Sequence, residues 1–224
     1  MGTIVSTTQR GYHVFSIIQA AGWPIWPLII CSILGLALVI ERFINLQRLR
    51  IAPPNLVDEA IAISKHRLPA PPVVDQLADN SLTGQLLANG FRLLYNNPSI
   101  SETELRAGLE SEGRLAAANM QKYLGALATI ASAAPLIGLL GTVIGMIEIF
   151  ASQGAAGGLS PGGGNPEQLA RGIAIALYNT AFGLIVAIPA LIFWRYFRAK
   201  VDTYVLEMEV AIERFAHHLL TLRA

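Results

Sequence analysis

The sequence predicts an all-α membrane protein with three transmembrane helices, the second and third of which extend into a cytoplasmic helical domain. Three observations lead there. Of the 224 residues, 53% are hydrophobic and only 14% charged, against about 25% charge in an ordinary soluble domain. The charges are also segregated: residues 11–40, 123–147 and 172–194 contain no Asp, Glu, Lys or Arg, and each run exceeds the ~20 residues that cross a bilayer as a helix. Between and after these runs, apolar residues recur at helical spacing among a normal share of charges.

Residues 1–22 are expected to form an outer N-terminal segment. Tyr12 to Ile18 would be a short helix lying in the interface, with His13 wetted rather than ligating. A cleavable leader is not expected, because the apolar run is too long and no small-residue cleavage site follows it. The first span is assigned to residues 23–45, with Trp23 and Trp26 beside Pro24 and Pro27 as an aromatic belt. Residues 46–121 form a cytoplasmic loop, cut by Pro53-Pro54 and by Pro69, Pro71 and Pro72 into short helices. Leu82, Leu86, Leu87, Phe91, Leu93 and Leu94 share one helical face. Ser101 and Glu104 form a capping-box pattern. No breaker follows until Pro135, so that helix is expected to run unbroken into the second span, residues 122–150.

A Gly-rich outer loop at 151–166 leads to the third span at 167–197, marked at its far end by Trp194, Tyr196 and Phe197. Residues 198–224 continue it as an amphipathic helix. Val201, Tyr204, Met208, Ile212, Phe215 and Leu219 form its stripe, which suits either a core within the chain or contacts between subunits in a helical barrel. His217 and His218 are adjacent and point apart on a helix, so no metal site is expected there.

Orientation follows from the basic residues. Nine Lys and Arg fall in 42–122 and five more in 195–223, whereas only Arg10 and Arg171 lie on the other side. The middle segment and C-terminus are therefore expected in the cytoplasm, with the N-terminus outside. A net charge of +1 gives no case for nucleic acid. The lone Cys31 excludes an intrachain disulfide or a cysteine metal site. No nucleophile constellation, metal cluster or phosphate loop is present. The expectation is a non-enzyme with neither cofactor nor metal.

Spans two and three differ from the bulky, Leu- and Ile-rich first span. Gly138, Gly141 and Gly145 on span two and Gly183 on span three permit close helix packing, with Pro135 and Pro189 set within the same spans. Polar groups accompany them: Ser132 and Thr142 on span two, Asn179 and Thr180 on span three. Thr142 lies six residues from Glu148, ~9 Å in depth, and Thr180 nine from Arg171, ~13 Å. Antiparallel spans would place the two threonines in one polar layer, where hydroxyls both donate and accept; alternatively, each bonds back to its own helix. Glu148, Arg171 and Arg195 are membrane-edge charges, with Glu148 expected to reach water or pair with Arg171 in preference to relaying protons. The spans hold no acid of their own. A proton path would need a carboxylate from elsewhere.

The segments APLIGLLGTVIGMI (134–147) and GIAIALYNTAFGLIVAIPA (172–190) resemble the span-two and span-three signatures of the MotA/TolQ/ExbB proton-channel family. Size, three spans, N-out topology and the large inner loop extend the likeness over essentially the whole chain, and favour the ExbB/TolQ branch. The resemblance implies a pentamer in the bacterial inner membrane, with spans two and three lining a pore at Thr142, Thr180, Asn179 and Ser132. It also implies an ExbD- or TolR-like single-span partner bearing an aspartate, and a TonB- or TolA-like protein that takes up the force. The function so implied is a proton-driven motor for outer-membrane import. The alternatives are a TolQ-like envelope role or a non-conducting scaffold. Many members carry a glutamate where this chain has Ile175, which implies a path that works without it.

Overall fold

A computed structural model describes residues 22–65, 67–155 and 166–223. The interfacial helix expected at 12–18, with His13, and the middle of the Gly-rich loop lie outside the described residues. Eight helices are seen among those described: α1 (Ile25–Asn45), α2 (Arg48–Ile51), α3 (Leu56–Ile63), α4 (Pro71–Asn80), α5 (Leu82–Asn96), α6 (Glu102–Gln121), α7 (Leu124–Ala155) and α8 (Pro166–Arg223). Three of them contain stretches long and apolar enough to cross a membrane: α1, α7 and the N-terminal part of α8.

The chain divides into two units. The first comprises residues up to Val39 and Ala126–Trp194; the second comprises Ile40–Gly125 and Arg195 onward.

In the first unit, Leu28 of α1 packs with Ala134 of α7 and Ala187 of α8, and Ile137, Phe182 and Val186 fill in around them. The outward faces of α7 and α8 keep Leu136, Leu139, Ile147, Leu177, Ile185 and Ile192 exposed. Exposed side chains of this kind suit lipid rather than water. Trp23 and Trp26 are likewise exposed at the start of α1. Pro27 is accommodated in the first turn of α1, where its missing N–H breaks no bond.

The second unit is a helical layer built on α5, α6 and the C-terminal part of α8. The expected face of α5 is largely confirmed, with Leu86, Leu87, Phe91 and Leu94 buried. All six residues of the α8 stripe, from Val201 to Leu219, are buried within this single chain. The stripe is thus a core face of its own chain. Phe215 meets Phe91 edge-on, ring centres 5.0 Å apart at 89°, and sits directly over Gly90. A β-carbon on Gly90 would come within 2.7 Å of Phe215 Cε1. The rim carries ion pairs, Arg214 with Asp58 at 2.5 Å and Arg106 with Glu213. Exposed pairs like these are screened by water and contribute little, so the aromatic and aliphatic core carries the unit.

Two expectations are corrected in this unit. The helix entered at Ser101 does not run unbroken into the second span. Its start is as expected, with both bonds of the capping box made. It ends, however, at Gln121, and α7 begins afresh at Leu124. Between them Tyr123 adopts a left-handed φ of 65°, a conformation that costs a non-glycine residue about 1–2 kcal/mol. The surroundings explain why the break persists. Arg42, only 4% exposed, donates from Nη1 to the Met120 carbonyl at 3.0 Å, satisfying an orphan acceptor in the last turn of α6. Arg42 and Lys122 also approach the Tyr123 ring, 5.4 and 4.9 Å from its centre, within cation–π range. The second correction concerns Phe197. It is buried, edge-on to Phe43 at 5.0 Å, and so is not part of an interfacial belt; Tyr196 is exposed.

His217 is exposed, while His218 is half-buried and bonds to Ser64 Oγ at 2.8 Å. The Ser64 hydroxyl donates its single proton to the Ala60 carbonyl at 2.7 Å, so it accepts from His218 Nε2–H. Burial holds the His218 imidazole below its ordinary value near 6.5. The unfolded chain then binds a proton here more readily than the folded one. Stability of this unit is expected to be fully present above about pH 7. It should fall as the pH drops through about 6.5 and then through the lowered folded value. His218→Gln should flatten that fall in a pH series of thermal melts.

Candidate functional site

The closest helix contact in the first unit is the seam between α7 and α8. A β-carbon placed on Gly183 would lie 2.7 Å from the Ala134 carbonyl oxygen and 3.1 Å from Gly138 Cα. One on Gly138 would lie 2.7 Å from the Asn179 carbonyl oxygen and 3.1 Å from Thr180 Cα. These are backbone-to-backbone approaches that no side chain can share. Farther along, Gly141 faces the Asn179 side chain, Gly145 faces Ala176, and Gly172 receives Ile149. The contacts step in opposite directions along the two helices, so α7 and α8 are antiparallel and held in one register. Lipid gives no hydrophobic drive for such an association. It rests on close van der Waals contact between small residues.

The register sets Thr142 and Thr180 at nearly the same level, within about two residues' rise, ~3 Å. Both are half-buried. Asn179, between them in level, is 2% exposed and presses its Cβ and Cγ against Gly141. The Thr142 hydroxyl donates to the Leu139 carbonyl of its own helix at 2.7 Å. That back-bond uses its proton and leaves its lone pairs to accept. The layer therefore offers an oxygen acceptor to water, or to the proton of a neutral carboxyl group brought alongside.

The remaining candidates fall elsewhere. Ser132 is exposed and donates to Thr129 O at 3.1 Å; it is ten residues, ~15 Å, from Thr142 along the helix. Pro135 is half-buried and Pro189 exposed, whereas Ala187 and Ala190 beside Pro189 are buried. Both prolines lie inside their helices. Glu148 is exposed near the end of α7, Arg195 is exposed at the start of the second unit's share of α8, and the Arg171 side chain lies outside the described residues. The proposed pairing of Glu148 with Arg171 lies outside them too. Sequence reasoning missed Ala134 and Ile149 as seam residues, although the alternating four- and three-residue spacing of 134, 138, 141 and 145 carries the signal. Among the described residues, no group of His, Cys, Asp and Glu is placed to hold a metal ion.

A tightly registered pair of apolar helices with hydroxyl and amide groups at one level defines a class: membrane proteins built on close-packed spans. Comparison with known sequences narrows the class. Residues 78–210 match the MotA/TolQ/ExbB proton channel family, and the chain belongs to that family. A putative biopolymer transport protein ExbB-like 3 of Synechocystis is 29% identical over 181 residues, covering 81% of this chain and 83% of that protein. The biopolymer transport protein exbB1 of Vibrio cholerae is 30% identical over 175 residues, 77% of this chain and 73% of that one. The ExbB of Aquifex aeolicus is 33% identical over 145 residues, 61% and 90% respectively.

Proposed function

We propose that the chain is an ExbB-like subunit of a proton-driven motor in the bacterial inner membrane. Five copies surround a pore walled by α7 and α8, with the N-terminus periplasmic and the C-terminus cytoplasmic. An ExbD- or TolR-like single-span partner brings an aspartate to the Thr142–Asn179–Thr180 layer, and a TonB-like protein receives the resulting work. The observation that carries this reading is the layer itself: two half-buried threonines and a buried asparagine at one depth of a helix pair that holds no acid there. A neutral aspartic acid hydrogen-bonded to Thr142 passes the layer at far lower cost than the bare carboxylate. The ExbB names of the relatives favour this branch over a TolQ-like envelope role.

The test is proton uptake by liposomes holding the chain and its partner. Thr142→Ala and Thr180→Ala are each expected to lower uptake tenfold or more, with Thr142→Ser retaining most of it. Unchanged uptake in both alanine variants would support a scaffold instead. Copy number from native mass spectrometry tests the pentamer, and four copies or fewer would refute it.

A further inference from the structure

A cavity of about 290 Å³ opens beside the seam in the first unit. Glu148, Ile149 and Gly145 of α7 form one wall, Ile175 and Asn179 of α8 the other, and Trp23 closes a side. Among the described residues its lining carries a single titratable side chain, Glu148, and Glu148 is the only carboxylate among the described side chains of this unit. At the other end of the same cavity lies the amide of Asn179, which belongs to the threonine layer. Gly141 faces Asn179, so the seven steps of rise from 141 to 148 place Glu148 ~10 Å beyond that layer. About three waters at hydrogen-bonding spacing bridge such a gap, and the cavity has room for several, each needing ~30 Å³.

We propose that Glu148 is the outer protonation station of the ion path, delivering protons through this cavity to the Thr142–Asn179–Thr180 layer. This rests on the motor reading and its orientation. The carboxylate takes a proton from the outer aqueous phase and becomes a neutral acid. It then passes that proton to the first water of the cavity, and the water chain releases one proton at the layer, where the partner's carboxylate accepts it. Glu148 returns to its anion, and nothing is oxidised or reduced. The residue sits at the bilayer edge, where a carboxylate meets water on one side and a low-dielectric cleft on the other. That position suits exchange with bulk better than a buried one does. Ile175 stands on the opposite wall of the same cavity, so this path draws its acid from α7 instead of α8.

The experiment uses the full-length chain with its single-span partner in liposomes containing a pH-sensitive dye, driven by a potassium diffusion potential. If the wild-type complex takes up no protons, the motor reading itself fails. Given wild-type uptake, Glu148→Gln is expected to slow it tenfold or more while the complex keeps its copy number. Adding Ile175→Glu to that variant returns the acid to the cavity from its other wall and should restore uptake severalfold. A wild-type rate in Glu148→Gln overturns the proposal. So does an assembled double variant without restoration, because an edge ion pair would behave that way. Should the double variant not assemble, Glu148→Asp decides: a shifted midpoint of rate against outer pH supports the station, and an unchanged midpoint overturns it.

Discussion

Gly183→Val is expected to abolish the folded membrane unit, with loss of assembled protein and a fall in melting temperature well beyond that of any surface substitution. The first added carbon would already lie 2.7 Å from the Ala134 carbonyl oxygen and 3.1 Å from Gly138 Cα. Both obstacles are backbone, so no rotamer change relieves them. The helices must separate, and separation removes the close contact that holds them together in lipid. Overpacking in a yielding core costs about 1–3 kcal/mol; here the site cannot yield, and the cost belongs at or above the top of that range. Gly125 supplies the control. A β-carbon there meets nothing within 4 Å, so Gly125→Ala should be neutral or slightly stabilising. Thermal melts of the two variants in one detergent check the pair, and similar melting points would contradict the seam.

Phe215→Ala is the counterpart in the second unit. Its ring is fully buried, edge-on to Phe91, with Gly90 beneath it. Truncating a buried phenylalanine costs about 3–5 kcal/mol, transfer and cavity together. That is a large part of the ~5–15 kcal/mol that stabilises a typical domain. Limited proteolysis should show 46–121 cleaved far faster than in the wild type, whereas Phe215→Leu, which refills part of the space, should fall between. Resistance equal to wild type in Phe215→Ala would mean that α8 is not the spine of this unit.

Much of this was legible in the residues because the bilayer imposes simple rules. Charge-free runs longer than 20 residues marked the three spans, Ser101 and Glu104 fixed the start of α6, and a three- and four-residue rhythm from Val201 to Leu219 identified a buried face. The break at Lys122-Tyr123 was not legible. Neither residue is a glycine or proline, and what holds the turn is Arg42 near the end of α1, 78 positions from the Met120 carbonyl it binds. Phe197 was misread because an aromatic next to Trp194 and Tyr196 looks like part of a belt, and only the ring of Phe43 shows that it faces inward. At the candidate site, counting from span ends gave the common level of Thr142 and Thr180. The level of a residue follows from rise per residue, but the direction of a hydroxyl does not. The Thr142 bond to Leu139 and the cavity joining Glu148 to Asn179 arise only in the folded α7 and its packing on α8.

The α7–α8 seam has a mechanical consequence. Side-chain interfaces deform because rotamers can hop, but around Ala134, Gly138 and Gly183 this one is backbone against backbone, with no torsions to give. Sliding the helices by one residue would drive β-carbons into carbonyls at Ala134 and Asn179. The pair is therefore stiff along its length and in twist, and it behaves as one bar rather than two rods. A load applied to either helix is borne by both, and strain collects where the seam ends.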